Sequence, residues 1–174
     1  MHGREVWEEA LDKFDARKRS DIMSRIRSKD TTPEKLVRHL LFAEGFRYRL
    51  HVRSLPGVPD MVFPKYRAVI FVHGCFWHAH SGCSHATLPA TNQEFWQAKL
   101  ARNRSRDEEV RNALLAIGWR VLTIWECACG KRTAPWLARL AVDFLCNPSR
   151  ICEEVDRRRV SEEQEKETND IEKH

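Results

Sequence analysis

No stretch of this chain approaches the length of a membrane span; the longest apolar run, around Val69–Val72, is strand-sized. No apolar segment follows the charges of the N-terminus, so no secretory signal is expected and the cytoplasm is the expected compartment. No segment repeats. The chain is also too short for two cores: 174 residues at 42% hydrophobic content suit one domain.

What is present is a basic body with an acidic tail. The net charge is +5 and the pI about 9.0. Residues 151–174 hold five Arg/Lys against nine Asp/Glu, a net −4, so residues 1–150 carry +9. Such a body suits a polyanion, with Arg and Lys neutralising phosphates, although a merely soluble basic protein could have the same balance. Six cysteines fall at 75, 83, 127, 129, 146 and 152. In a cytosolic chain, clustered Cys beside His suggests metal before disulfide.

Residues 1–30 read as a basic arm (Arg17, Lys18, Arg19, Arg25, Arg27, Lys29). Thr32 reads as an N-cap with Pro33 behind it, Leu36, Val37, Leu40 and Leu41 repeat at helical spacing, and Gly45 ends the helix. Phe46, Tyr48, Leu50 and Val52 alternate with Arg47, Arg49 and His51, predicting a half-buried strand. Strands are expected at Asp60–Phe63, Arg67–His73 and Trp119–Trp125, and helices from about Gln93 to Ile117 and over Pro135–Leu145. Gly74–Ala90 reads as an irregular loop, and residues 147–174 as a net acidic tail, a frayed helix or disorder. The order αβββαβ, then α, predicts an α/β domain over 31–146, a mixed sheet flanked by helices.

Asp60 opens a strand just after a turn, and Val72-His73 close the strand expected beside it. A carboxylate and the main-chain carbonyl of Val72 at one sheet edge suit a hard cation such as Mg²⁺. His78, on the loop leaving that strand, has the ordinary pKa range of a general base. Taken singly, an Asp after Pro is ordinarily a turn residue and a loop His a solvated one. The order of elements resembles the restriction-endonuclease-like fold, whose first helix often supplies an acid; Glu34 stands in that place. That superfamily ordinarily carries an acid, a spacer and a lysine on its third strand, where this chain has Val72, His73 and Gly74.

Cys75, His80 and Cys83 form C-x4-H-x2-C, and Cys127 follows a distant strand. Four such ligands suit a closed, structural Zn²⁺ site that would pin the loop, with His78, His85 and Cys129 as nearby alternates. The alternative is a set of reduced structural cysteines, and Cys146 and Cys152 fall outside the cluster. Phe76 and Trp77 sit inside this polar loop, and Trp96 follows Phe95 at the start of the long helix. Aromatics without a core to fill can wedge between base pairs, whereas packing on the sheet is the expected fate of Phe95.

The run from His73 to His80, HGCFWHAH, closely resembles the signature of the very short patch repair (Vsr) endonucleases. Pro33-Glu34-Lys35, Leu55–Asp60, Phe95-Trp96 with Lys99 and Asn103, Gly118–Val121 and Trp125-Glu126-Cys127 agree, in order, over roughly residues 17–130. The resemblance implies an Mg²⁺-dependent enzyme that nicks duplex DNA 5′ to the thymine of a T:G mismatch left by deamination of 5-methylcytosine. It implies Asp60 as the metal-binding carboxylate and His78 as general base. Glu34 would help hold a water beside the metal, and His73 would touch the reacting phosphate. It implies Phe76, Trp77 and Trp96 as the wedge, Lys99, Asn103 and Met23 near the mismatched pair, and Cys75, His80, Cys83 and Cys127 as zinc ligands. In that family the carbonyl at Val72 and a histidine stand in for the missing acid and lysine. Two departures stand out: Val72 occupies a position where Thr is expected, and the His80–Cys83 spacing is one residue longer than expected.

A monomer is expected, because a wobble mismatch is asymmetric and offers no two-fold axis. Mismatch-repair proteins are the expected protein partners, and the nucleoid the expected place of work. Two other readings use the same residues. One is a zinc-stabilised mismatch sensor that does not cut. The other is a restriction-like nuclease of different specificity.

Overall fold

Alternation decides which face of the sheet each strand residue serves. Met61, Phe63, Ala68, Ile70, Leu122 and Ile124 point to one face; Val62, Val69 and Val121 point to the other. A strand apolar on both faces needs cover on both, and helices supply it. The computed structural model describes residues 29–171. Its elements are α1 (Thr32–Ala43), β1 (Met61–Phe63), β2 (Ala68–His73), α2 (Gln93–Ala116), β3 (Arg120–Trp125), α3 (Ala134–Cys146), β4 (Cys152–Val155) and α4 (Arg157–Ile171). The basic arm expected over residues 1–30, with Met23, lies almost wholly outside the described residues.

The sheet runs β1-β2-β3-β4, antiparallel between β1 and β2 and parallel thereafter. It is a mixed four-stranded sheet flanked by helices, consistent with the restriction-endonuclease-like expectation. Helices α1 and α3 bring Val37, Leu41, Leu137, Leu140, Ala141 and Phe144 onto one face, joined by Val160 of α4. Helix α2 covers the other face with Leu114 and Val110.

Three expectations change. The N-cap of α1 is Thr31, not Thr32: its hydroxyl accepts the Glu34 N–H and donates to Glu34 Oε1, while Glu34 Oε2 accepts the Asp30 N–H. The predicted strand Phe46–Val52 is reduced to a single bridge, Arg49 with Val62. Phe46 belongs to the α1/α3 face and Val52 to the α2 face, because His51 at φ +48° turns the chain across the sheet edge. In place of a frayed or disordered tail, residues 152–171 form β4 and α4. Parallel pairing to β3 and burial of Val155 and Val160 secure a segment too polar to announce itself.

Candidate active site and metal centre

The turn before Asp60 is held by close packing. Gly57 lies at φ +71°, and a Cβ there would sit 2.3 Å from Val110 Cγ1, so only glycine lets this turn rest on α2. Asp60 then stands immediately before β1. In register Met61 faces Ile70, and the Asp60 carboxylate reaches one step further, where Oδ2 accepts the Val72 N–H at 2.8 Å. A strand residue's N–H and C=O point to the same side, so the Val72 carbonyl is directed towards the edge where Asp60 lies. Burial, against the pull of the Val72 hydrogen bond and with help from Glu34, pushes the Asp60 carboxyl up to about 6. A desolvated carboxylate beside a second carboxylate and a main-chain carbonyl is a donor set that a hard divalent cation fits.

Asp60 lines a cleft of about 950 Å³ with Glu34, His51, His73, His78 and Asp107. Glu34 is buried and fully engaged: it accepts from Thr31 Oγ1, the Asp30 N–H and Arg38 Nη2, each at 2.9 Å. Arg38, itself buried, also pairs with Asp30 and lies 3.3 Å from His51 Nε2. Arg38 was invisible as a site residue, since on sequence it is one more helix arginine.

The catalytic-histidine expectation acquires a partner. His78 Nδ1 is 2.6 Å from Asp107 Oδ2 on α2. The His73 ring stacks flat on His78, centroids 3.8 Å apart at 8°, and meets Trp125 edge-on at 5.5 Å. Burial and the neighbouring His78 drive the His73 imidazole down to about 3, so it is neutral at any working pH. Asp107 gave no sequence signal, because Arg104-Ser105-Arg106-Asp107-Glu108-Glu109 reads as a solvated helix face.

Cys75, His80, Cys83 and Cys127 converge, their ligand atoms all within 4.8 Å of one another. His80 Nδ1 lies 3.6 Å from both Cys75 Sγ and Cys127 Sγ. A tetrahedral ion with metal–sulfur bonds of about 2.3 Å and a metal–nitrogen bond of about 2.0–2.1 Å requires an S···N edge of roughly 3.6 Å. The four residues fit such an ion despite the longer His80–Cys83 spacing. The hydrogen bond shared by Cys75 and Cys127 lowers the Cys127 thiol and raises that of Cys75. The alternates fall away: His78 is with Asp107, Cys129 donates to Trp125 O, and His85 sits in a short 3-10 turn.

Phe76, Trp77 and Trp96 pack on each other, with centroids 5.1–6.1 Å apart, and join neither core cluster. Phe95, expected against the sheet, is 55% exposed and packs edge-on to Trp96 at 5.3 Å. The Lys99 ammonium lies 5.8 Å from the Phe95 ring centroid. Lys99 Nζ sits 5.2 Å from the Trp77 ring centroid and 5.3 Å from that of Trp96. Asn103 Nδ2 donates to the Trp77 carbonyl at 2.8 Å and so ties this loop to α2.

A profile of the family described as "DNA mismatch endonuclease Vsr" matches residues 11–84. The chain is 46% identical over 117 residues to the DNA mismatch endonuclease Vsr of Escherichia coli K12, covering 67% of this chain and 74% of that protein. This chain belongs to the Vsr family. It is also 49% identical over 116 residues to the type II nicking enzyme V.XorIIP of Xanthomonas oryzae pv. oryzae, covering 67% of this chain and 85% of the relative. For V.HpaIIP of Haemophilus parainfluenzae, another type II nicking enzyme, identity is 32% over 148 residues, 84% of this chain and 94% of the relative. In this Vsr-family chain the Asp60 cleft and the Cys/His cluster adjoin, with Trp125 between them, and the half-buried aromatics Phe76 and Trp77 lie on the loop that carries Cys75, His78 and His80. The Trp125 indole packs flat on His80, centroids 4.0 Å apart, and edge-on to His73.

Proposed function

We propose that this Vsr-family chain is a DNA mismatch endonuclease that nicks one strand of a duplex, 5′ to the thymine of a T:G pair, and so starts very short patch repair. The observation that carries this reading is the pairing, across one cleft, of the desolvated Asp60 carboxylate with a His78 held by Asp107. The family membership and the relatives named as mismatch endonuclease or nicking enzymes support it. The enzyme works as a monomer on an asymmetric lesion, in the cytoplasm and on the nucleoid, with mismatch-repair proteins as partners.

Asp107 engages Nδ1 of His78, so Nε2 is the atom left to take a proton from the attacking water. His73, kept neutral, hydrogen-bonds the phosphate region without competing for that proton. Arg53, Arg104 and Arg106 line the cleft and neutralise flanking phosphates. Phe76, Trp77 and Trp96, with Phe95 beside them, enter the stack next to the wobble pair, where unstacking costs least. Lys99 and Asn103 present polar groups beside the wedge, and Met23 is assigned to the same region. Asp60 and the Val72 carbonyl would hold Mg²⁺, with Glu34 supporting the site's negative field; the ion supplies charge neutralisation at the scissile phosphate. The main-chain ligand is indifferent to the Val72 side chain. Cys75, His80, Cys83 and Cys127 would hold a structural Zn²⁺ that fastens the aromatic loop to the end of β3.

The test is a nicking assay with Mg²⁺ on two end-labelled duplexes, one carrying a single T:G pair and one fully paired. A cut confined to the thymine strand, 5′ to the mismatch, is expected. Equal cutting of both duplexes would point to the restriction-like reading, and tight mismatch binding without any cut to the sensor. Asp107→Asn is expected to lower kcat by about 10²–10⁴-fold, the range of an orienting carboxylate, with mismatch affinity unchanged.

A further inference from the structure

Strand β4 and helix α4 lend only Glu154 and Arg158 to the rim of the cleft described above, yet their junction meets the Cys/His cluster at two atoms. Asp156 Oδ2 lies 3.5 Å from His80 Nε2, and the Arg157 main-chain N–H hydrogen-bonds to Cys127. The opposite ring nitrogen of His80, Nδ1, faces Cys75 Sγ and Cys127 Sγ. Both groups are shielded: the side chain of His80 is 8% exposed and that of Asp156 is 16% exposed.

We propose that Asp156 is a positioning residue for the metal ligand His80, holding Nε2–H so that the unprotonated Nδ1 is presented to the metal. This rests on the reading of the cluster as a zinc site. The indole of Trp125, stacked at 7°, fixes the plane of the imidazole. Stacking does not choose between the ring's two flips, which exchange carbon and nitrogen positions. A carboxylate at one edge does choose, because only Nε2–H can donate to it. A carboxylate behind a ligating histidine also raises the basicity of the ligand nitrogen. The same side chain begins α4: Asp156 Oδ1 accepts the Arg159 N–H at 2.9 Å, and Oδ2 accepts from Arg158 Nε at 3.2 Å. Docking of the C-terminal helix and aiming of the zinc ligand thus share one residue.

The test begins with the zinc content of the purified wild-type protein; absence of bound metal would remove the zinc reading itself. On the loaded protein, zinc transfer to a chromogenic chelator is compared for wild type, Asp156→Ser, Asp156→Asn and Val160→Ala. Serine keeps a helix cap but cannot reach His80, asparagine restores an acceptor without charge, and Val160→Ala loosens α4 without touching the ring. Asp156→Ser is expected to weaken zinc binding about 10–100-fold, the usual effect of removing such a partner, with asparagine in between and Val160→Ala close to wild type. The His80 Nε2–H resonance should lose its protection from solvent exchange in Asp156→Ser only. Wild-type zinc retention in Asp156→Ser, or an equal loss in Val160→Ala, overturns the proposal and leaves Asp156 as a helix cap alone.

Discussion

Asp60 is costly to ionise in the folded chain without a cation nearby. Burial and the Glu34 charge hold its carboxyl near 6 against an ordinary 3.8. The folded state therefore binds this proton more tightly than the unfolded state does. Its contribution to stability is fully present below about pH 4 and is lost as the pH rises through about 6, a penalty on the order of 3 kcal/mol above that window. Asp60→Asn, which copies the protonated form and keeps an acceptor for the Val72 N–H, should raise the melting temperature at pH 8 in the absence of Mg²⁺. The gain should shrink as the pH is lowered towards 5, and nicking should be abolished. Thermal melts at both pH values check this; a variant that melts below wild type at pH 8 would mean that Asp60 is compensated by a cation already.

At the scale of elements, one side chain joins several. Arg120, at the start of β3, is 9% exposed. Its guanidinium donates to the carbonyls of Phe144, Leu145, Asn147, Arg150 and Tyr66. It thereby terminates α3, aims the chain into β4 and braces the β1–β2 turn. The ring of Phe144 lies 5.0 Å beneath it. Arg120→Met would fill the volume but leave several buried carbonyls without donors, and a loss on the order of 3–5 kcal/mol is expected by urea unfolding. A loss under about 1 kcal/mol would mean that water replaces the guanidinium at those carbonyls. Lysine at this position should rescue little, since it cannot fork to five acceptors.

The C-terminal segment belongs to the molecule as a layer, not an appendage. It pairs β4 with β3 over Val121–Ile124, buries Val155 and Val160, and brings Asp156 to His80. Ending the chain after Asn147 would expose the β3 edge and forfeit two buried valines, roughly 3–6 kcal/mol by area. A fall in melting temperature of about 10 °C or more is expected, with increased binding of a hydrophobic dye. A truncated chain that melts with the full one would reduce the segment to a solvated tail, as its charge suggested.

The sequence by itself determined the strands that are short apolar runs (61–63, 68–73 and 120–125), the helices over 32–43, 93–116 and 134–146, the Cys and His types of a candidate metal cluster, and the resemblance that points to the Vsr family. Those signals are local, so short stretches of chain carry them whole. Only the tertiary structure decided that Asp107 meets His78, that Arg38 joins Glu34 to Asp30 and His51, that Phe46–Val52 crosses the sheet edge without becoming a strand, and that residues 152–171 complete the sheet. Each of these depends on a partner distant in the chain, and a polar residue leaves no periodic mark of the partner it will find. Asp107 reads as a solvated helix residue until α2 lies across the end of β2, and Asp156 as tail charge until β4 pairs with β3.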